Sequence, residues 1–221
     1  MITSSLASIK AVLFDLDGTI LDTLADLTDS VNYALFQSGL PLVAQKDVRR
    51  FLGNGMTRLI TLCVPEGTDQ ATFQKVYDTF MAHYKEHCTD KTGPYDGIPE
   101  LIRSLRSAGL KTAVVSNKGD FAVQTLVASI FPGLFDFSCG EKQGVRRKPA
   151  PDTAIQCLKH LNLTASEAVY IGDSEVDIET AANAGMPIIS VEWGFRDHDD
   201  LLQAGAQVLV TDPQQIADLL L

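Results

Sequence analysis

Two carboxylates separated by one residue stand in the segment KAVLFDLDGTILDT (10–23): Asp15 and Asp17, directly after the apolar run Ala11–Phe14. Side chains alternate along a strand, so both carboxylates face the same way and repel each other. A metal cation, a proton held on one of the pair, or water around an exposed turn can offset that repulsion. Three more polar groups follow later apolar runs: Ser116-Asn117-Lys118, then Lys148 in the loop ahead of a helix, then Gly172-Asp173-Ser174 with Asp177 close behind. This supply of oxygen ligands suits magnesium, a hard ion that takes one or two carboxylates and keeps waters for a phosphate to displace. Asp15 and Asp173 are the expected ligands. Asp177 faces the same ion from the first turn of a helix, directly or through water. With the ion bound, Asp15 is free to attack an electrophile, and Asp17 is the group to hold the proton that a leaving alcohol needs.

A phosphate monoester is the matching electrophile, since its oxygens bind the metal and its uncatalysed hydrolysis needs up to ~10²¹-fold acceleration. An aspartyl-phosphate on Asp15 divides that barrier into two displacements. Lys148, the Ser116 hydroxyl, Asn117 and the loop at Gly18 and Thr19 are placed to hold the equatorial oxygens. Each of these features alone has a plain structural reading. Asp15-Leu16-Asp17-Gly18-Thr19 is not an EF-hand loop, because its glycine is fourth rather than sixth and it follows a strand. It is not a Walker B strand either, since no GxxxxGK[ST] occurs in the chain. Asp173 can cap a helix, Lys148 can be a surface charge, and Gly53-Asn54-Gly55 can be an ordinary loop. Their conjunction at successive strand ends is what carries the functional reading.

Those strand ends come from alternating elements. Apolar runs at 111–117, 135–140, 168–173, 187–193 and 207–211 are separated by amphipathic stretches, and residues 10–17 add one more strand. This alternation predicts an α/β fold with a parallel sheet covered on both faces. Between the first strand and Gly97 the pattern is helical only, over 23–38, 57–62 and 72–87. A helical insertion, 22–91, therefore interrupts a core made of 1–21 and 92–221. The DGT turn and the breaker-rich segment 89–99 are its hinge strands.

The chain has 221 residues, 45% of them hydrophobic, enough for a large core or two unequal ones. Twenty-eight acidic residues against eighteen basic give a net charge of −10, which disfavours nucleic acid and requires local cations around any anionic ligand. Cys63, Cys88, Cys139 and Cys157 have no CxxC spacing, so neither a disulfide framework nor a zinc site is expected, and a reducing cytoplasm fits. MITSSLASIK lacks a signal-peptide pattern, and no apolar run is long enough to span a membrane. The sequon Asn162-Leu163-Thr164 is read as a chance match.

FDLDGT (14–19), VVSN (114–117), Lys148-Pro149 with Pro151, and GDSEVDIETAANAG (172–185) together resemble the four motifs of the haloacid dehalogenase (HAD) superfamily, over essentially the whole chain. The resemblance implies a Rossmannoid core with an inserted all-helical cap domain that closes over substrate. It implies Asp15 as nucleophile and Asp17 as acid/base, with the Asp17 carbonyl also on Mg²⁺. Ser116 and Lys148 become the phosphate-binding pair, and Asp173, supported by Asp177, the metal ligand. A second aspartate at 17 is similar to the phosphatases and phosphomutases rather than the dehalogenases. Asp152 stands where many relatives continue with a third proline. FLGNGMTRLI (51–60) and VEWGFRDHDDLLQAGA (191–206) resemble phosphoglycolate phosphatases more than β-phosphoglucomutases, while pyrophosphatases and sugar-phosphate phosphatases share similar patterns. The expected substrate is thus a small phosphomonoester, 2-phosphoglycolate favoured, with Asn54 and Arg58, or else Arg49, meeting it from the cap. A phosphomutase and an idle metabolite-binding module are the alternatives.

Overall fold

The computed structural model describes residues 8–221; most of the N-terminal stretch MITSSLASIK, 1–7, lies outside the described residues. Strand β1 (Ala11–Phe14) is entirely apolar and wholly buried, as a central parallel strand must be. It pairs on one side with β4 (Lys111–Gly119) and on the other with β6 (Ala168–Gly172), Phe14 lying opposite Val114 and Ile171. β5 (Phe137–Glu141) extends the sheet beyond β4, while β7 (Ile188–Val191) and β8 (Leu209–Val210) extend it beyond β6. The order β5-β4-β1-β6-β7-β8 is parallel throughout. Chain order reverses at β1, and such a reversal opens a crevice at the carboxyl ends of the strands.

Alternation along β1 divides the core. Val12, Phe14 and Leu16 pack on one face with α5 (Ile98–Ser107), α6 (Asp120–Ile130) and α10 (Pro213–Leu220). Ala11 and Leu13 pack on the other with α7 (Asp152–Leu161) and α8 (Glu175–Ala184). The period of two continues past the end of the strand, so Asp15 and Asp17 fall on the side opposite Leu16.

The insertion is α1 (Leu24–Gln37), α2 (Gln45–Phe51), α3 (Gly55–Cys63) and α4 (Gln70–His87). Leu27, Val31, Leu35, Leu59, Phe80 and Tyr84 form a separate apolar cluster there, joined by Phe195 from the far end of the chain. Where the chain leaves and re-enters the sheet, β2 (Leu21–Asp22) pairs antiparallel with β3 (Gly93–Pro94). Buried Asp26 secures the same junction, accepting from the Lys91 and Thr92 amides and the Thr92 hydroxyl at 2.8–3.0 Å. Helix α2 was not expected: QKDVRRF buries only Val48 and shows no apolar stripe. Helix α4 starts two residues earlier than its apolar pattern because Asp69 caps it, accepting from the Ala71 and Thr72 amides.

All four cysteines are buried and unpaired, and burial lifts the Cys63 and Cys157 thiols to about 12. Asn162 of the sequon ends α7 in the left-handed conformation, φ 56°, a position that asparagine tolerates well. Among the described residues, no helix is long and apolar enough to cross a membrane.

Candidate active site

Each of the paired aspartates has its own buried lysine, an offset to their repulsion that the sequence reading did not include. Asp15 Oδ1 lies 2.9 Å from Lys148 Nζ and accepts from the Leu16 amide at 2.7 Å. Its second oxygen takes no hydrogen bond from the described residues. Lys148 Nζ also meets Asp177 Oδ1 at 2.7 Å and the Tyr170 hydroxyl at 3.2 Å. Asp177 has both oxygens engaged, since Ser174 Oγ donates to Oδ2 at 2.6 Å. Burial opposes the Lys148 charge, but Asp15 and Asp177 outweigh it and hold the ammonium well above the usual lysine value.

Asp17 is gripped from elsewhere. Lys118 Nζ donates to both of its oxygens, at 2.8 and 3.1 Å, and Thr23 Oγ1 donates to Oδ1 at 2.7 Å. Lys118 stands in the quoted SNK segment, yet nothing in the sequence separates it from a surface lysine at a strand end; only the fold shows its side chain fully buried. Ser116 Oγ accepts from the Lys118 amide at 3.2 Å, so the turn is braced by its own hydroxyl. Asn117 serves geometry as well. Its amide donates to the carbonyls of Lys148 and Gly53 and accepts from the Lys148 amide, clasping the Lys148 loop to the cap.

Asp173 directly follows β6, beside the end of β1, and its carboxylate is held by Thr19 Oγ1 at 3.0 Å and the Phe195 amide at 2.7 Å. Space for it is made by Gly18: at φ +83° a side chain there is strained, and a Cβ would collide with the Asp173 carboxylate. Gly18 and Thr19, expected to contact substrate, are seen here bracing the turn and Asp173. Their amides are spent on the carbonyls of Leu21 and Leu16, and the Thr19 hydroxyl on Asp173.

Ligand oxygens of Asp15, Asp173 and Asp177 lie within 4.8 Å of one another, all buried. Burial, then the neighbouring acids, raise Asp15 to about 8 despite Lys148, and raise Asp173 to about 7. Three carboxylates around one lysine leave an excess of negative charge in an all-oxygen donor set, which fits a hard divalent cation. The Asp17 side chain is not in this trio, because Lys118 and Thr23 draw it aside.

A cavity of about 30 Å³ lies above these groups. Asp15, Asp17, Ser116, Lys118 and Asp173 form its polar wall; Leu27, Leu52, Met56, Leu59 and Phe195 form the facing apolar wall. Arg58 does not reach it. Helix α3 turns Met56 and Leu59 inward, and Arg58, on another face, is exposed. Asn54 does not line it either, although its neighbours Gly53 and Gly55 do. Arg49 spans from cap to core outside the cavity, donating to Asp197 Oδ1 and the Gly194 carbonyl, each at 3.0 Å. The arginine that does line it is Arg196, paired with Glu175 at 2.7 Å and donating to the Leu52 carbonyl at 2.9 Å. It lies within the tail segment 191–206, but its role was not legible there.

This arrangement is that of a parallel-sheet hydrolase with an acidic site under a helical cover. Residues 12–191 match the family of haloacid dehalogenase-like hydrolases, and the chain belongs to that family. It is 31% identical over 217 residues to the N-acetylmuramic acid 6-phosphate phosphatase of Pseudomonas aeruginosa, covering 96% of this chain and 95% of the relative. It is 33% identical over 192 residues to the phosphoglycolate phosphatase of Mesorhizobium japonicum, covering 84% of each. Among solved structures, a phosphoglycolate phosphatase candidate from Lactobacillus delbrueckii subsp. bulgaricus superposes with a TM-score of 0.92 at 43% identity, over 97% of this chain and 99% of that one.

Proposed function

We propose that the protein is a Mg²⁺-dependent phosphatase of a small phosphomonoester, 2-phosphoglycolate favoured, working through an aspartyl-phosphate on Asp15. The observation that carries this reading is the meeting of Asp15, with one oxygen braced and one open, and a separately held Asp17 in one cavity. An Asp15 oxygen bonds to phosphorus as the ester P–O bond breaks, and Asp17 gives its proton to the departing alkoxide. Asp17 then takes a proton from water as that water attacks phosphorus, the bond to Asp15 breaks, and phosphate leaves. Ser116 and Lys148 orient the phosphoryl oxygens. Asp15 and Asp173 would hold the cation, with the Asp17 carbonyl as a further ligand and Asp177 behind; when bound, it supplies neutralisation of the phosphoryl charge.

Substrate size follows from the cavity. The cavity is small and roofed by Leu27, Leu52, Met56 and Leu59 of the insertion, so the cap, 22–91, swings on the β2–β3 ribbon to admit an ester and reseats around a small leaving group. The names of the relatives from M. japonicum and L. delbrueckii support glycolate as that group. We assign Arg196, in place of Arg58, to its carboxylate. Four unpaired buried cysteines agree with action in the reducing cytoplasm. The test is phosphate release with and without Mg²⁺ from a panel holding 2-phosphoglycolate, N-acetylmuramic acid 6-phosphate, sugar phosphates and pyrophosphate. The expected result is Mg²⁺-dependent release, fastest from 2-phosphoglycolate. Isomerised sugar phosphate without free phosphate would instead mark a mutase, and silence across the panel would mark a binding module.

A further inference from the structure

We propose that Lys118 is a positioning residue for proton transfer: it fixes the Asp17 carboxylate and, through the ring of Tyr84, makes that alignment depend on the seating of the cap. This rests on the phosphatase reading above, in which Asp17 serves the leaving alcohol. The side chain of Lys118 is fully buried, and a buried ammonium persists only where its charge is met. Two groups meet it. Asp17 offers both oxygens at 2.8 and 3.1 Å, so the ammonium fixes the plane of the carboxylate as well as its place. Tyr84, on cap helix α4, presents its ring face with the centroid 4.7 Å from Nζ. The Tyr84 hydroxyl is buried near the Lys118 ammonium but makes no hydrogen bond of regular geometry among the described residues, so the ring face is the contact that α4 sets over Nζ.

The arrangement spans the core and both ends of the cap. Lys118 belongs to β4 of the sheet, Thr23 on Asp17 Oδ1 stands at the entrance to α1, and Tyr84 belongs to the cap. When the cap lifts, Tyr84 leaves with α4 and water reaches Lys118. The ammonium is then free to move off Asp17, and the acid/base is aligned only when the cavity is closed. The direct partners of Asp15, Lys148 and the Leu16 amide, are in the core, and the cap reaches them only at one remove, through the Asn117 side chain that bonds both the Lys148 backbone and the Gly53 carbonyl.

The experiment compares kcat/KM, in Mg²⁺, for an alkyl phosphomonoester that the wild type hydrolyses and for p-nitrophenyl phosphate, whose leaving group departs without a proton. Lys118→Met is expected to lower the alkyl value about 10²-fold, mostly in kcat, and the nitrophenyl value less than about fivefold. Tyr84→Leu is expected to shift the same ratio about tenfold, while Tyr84→Phe, which keeps the ring, stays within about twofold of the wild type. Circular dichroism and melting verify folding. Equal losses on both esters overturn the proposal, since they assign Lys118 to phosphate binding. An unchanged ratio in Lys118→Met, or a loss in Tyr84→Phe as large as in Tyr84→Leu, overturns it too. If Lys118→Met does not fold, the two Tyr84 variants decide by the same ratio. A wild type inert on every ester overturns the phosphatase reading itself, an outcome seen before any variant is compared.

Discussion

Asp15 and Asp17 are two residues apart, and each meets a buried lysine, but their surroundings belong to different mechanical regions. Around Asp15, the lysine comes from the loop before α7 and its further partners from β6 and α8, all in the core, with one indirect tie to the cap where Asn117 bonds Gly53. Around Asp17, the lysine rests on a cap tyrosine and the remaining donor is the residue that begins the cap. The group assigned to attack phosphorus is thus pre-set by the core. The group assigned to move protons is set by the core and the cap jointly. On the proposed roles, a site divided in this way leaves the direct contacts of its nucleophile to the core and completes its acid/base only around enclosed substrate, a form of the gating that protects an intermediate from untimely water.

The sharpest test of the core half is Asp15→Asn. An amide at this position cannot form the phosphoryl bond, so turnover should fall by about 10⁴-fold or more on every ester, regardless of leaving group. The change removes one of three clustered negative charges, so circular dichroism should show the fold intact. Activity near wild type would transfer the nucleophile, and the whole comparison, elsewhere.

Next in size is Lys148→Met, which leaves Asp15 and Asp177 facing each other without their shared cation. Removing one partner of a buried charged group costs about 3–5 kcal/mol, read from denaturant titration. Addition of Mg²⁺ should recover part of that loss, because a bound cation again compensates the carboxylates. A loss of less than about 1 kcal/mol in the absence of metal would show that Asp15, Lys148 and Asp177 do not act as one electrostatic unit.

These contrasts explain which parts of the site could be read from residue types. The run Ala11–Phe14 and the paired carboxylates are local, and alternation alone places Asp15 and Asp17 opposite Leu16. The parallel sheet follows from the spacing of apolar runs, each lying within a residue or two of an observed strand. Residues whose meaning depends on docking were not legible. Lys118 becomes a clamp only because α4 brings Tyr84 over it, and Arg196 lines the cavity only because β7 leads the chain back across Gly18 and Asp173. Arg58 lies outside the cavity for the converse reason: its residue type suits an anionic substrate, but the rotation of α3 about its axis is fixed by the apolar contacts of Met56, Leu59 and Ile60. Sequence spacing shows that a helix has such faces, and tertiary packing decides which of them meets the cavity.

A smaller effect separates the two halves by pH. Burial and neighbouring acids raise Asp15 to about 8 and Asp173 to about 7, against 3.8 for a free aspartate. Between these values the folded chain retains protons that the unfolded chain has released, so the stability from these groups is full below pH 3.8 and is lost as pH rises through about 7 to 8. In a chelator the melting temperature should therefore fall by several degrees, ~4–8 °C, from mildly acidic to mildly alkaline solution. Mg²⁺ should flatten the dependence, and Asp15→Asn should flatten it without metal. Lys118→Met should leave the slope in place, since its carboxylate is not in the trio. A slope that vanishes in Lys118→Met would merge the two regions that the geometry separates.

The smallest effect belongs to the outer fastening between cap and core. Arg49 bonds Asp197 and the Gly194 carbonyl, but Asp197 is 74% exposed, so water and salt compete for the contact. Arg49→Ala should cost no more than about 1 kcal/mol of stability, within the usual range for surface pairs. Its measurable consequence is in the closing step. With one fastening lost, the seated cap is less populated, and KM should rise about two- to fivefold while the nitrophenyl-to-alkyl ratio stays that of the wild type. High salt should bring the wild type toward the variant, because screening weakens the same pair. A change in that ratio would mean that Arg49 acts on the alignment of Asp17 as well as on closure. Alignment and closure are separable only if the contacts near Tyr84 govern the first and the exposed contacts near Arg49 govern the second.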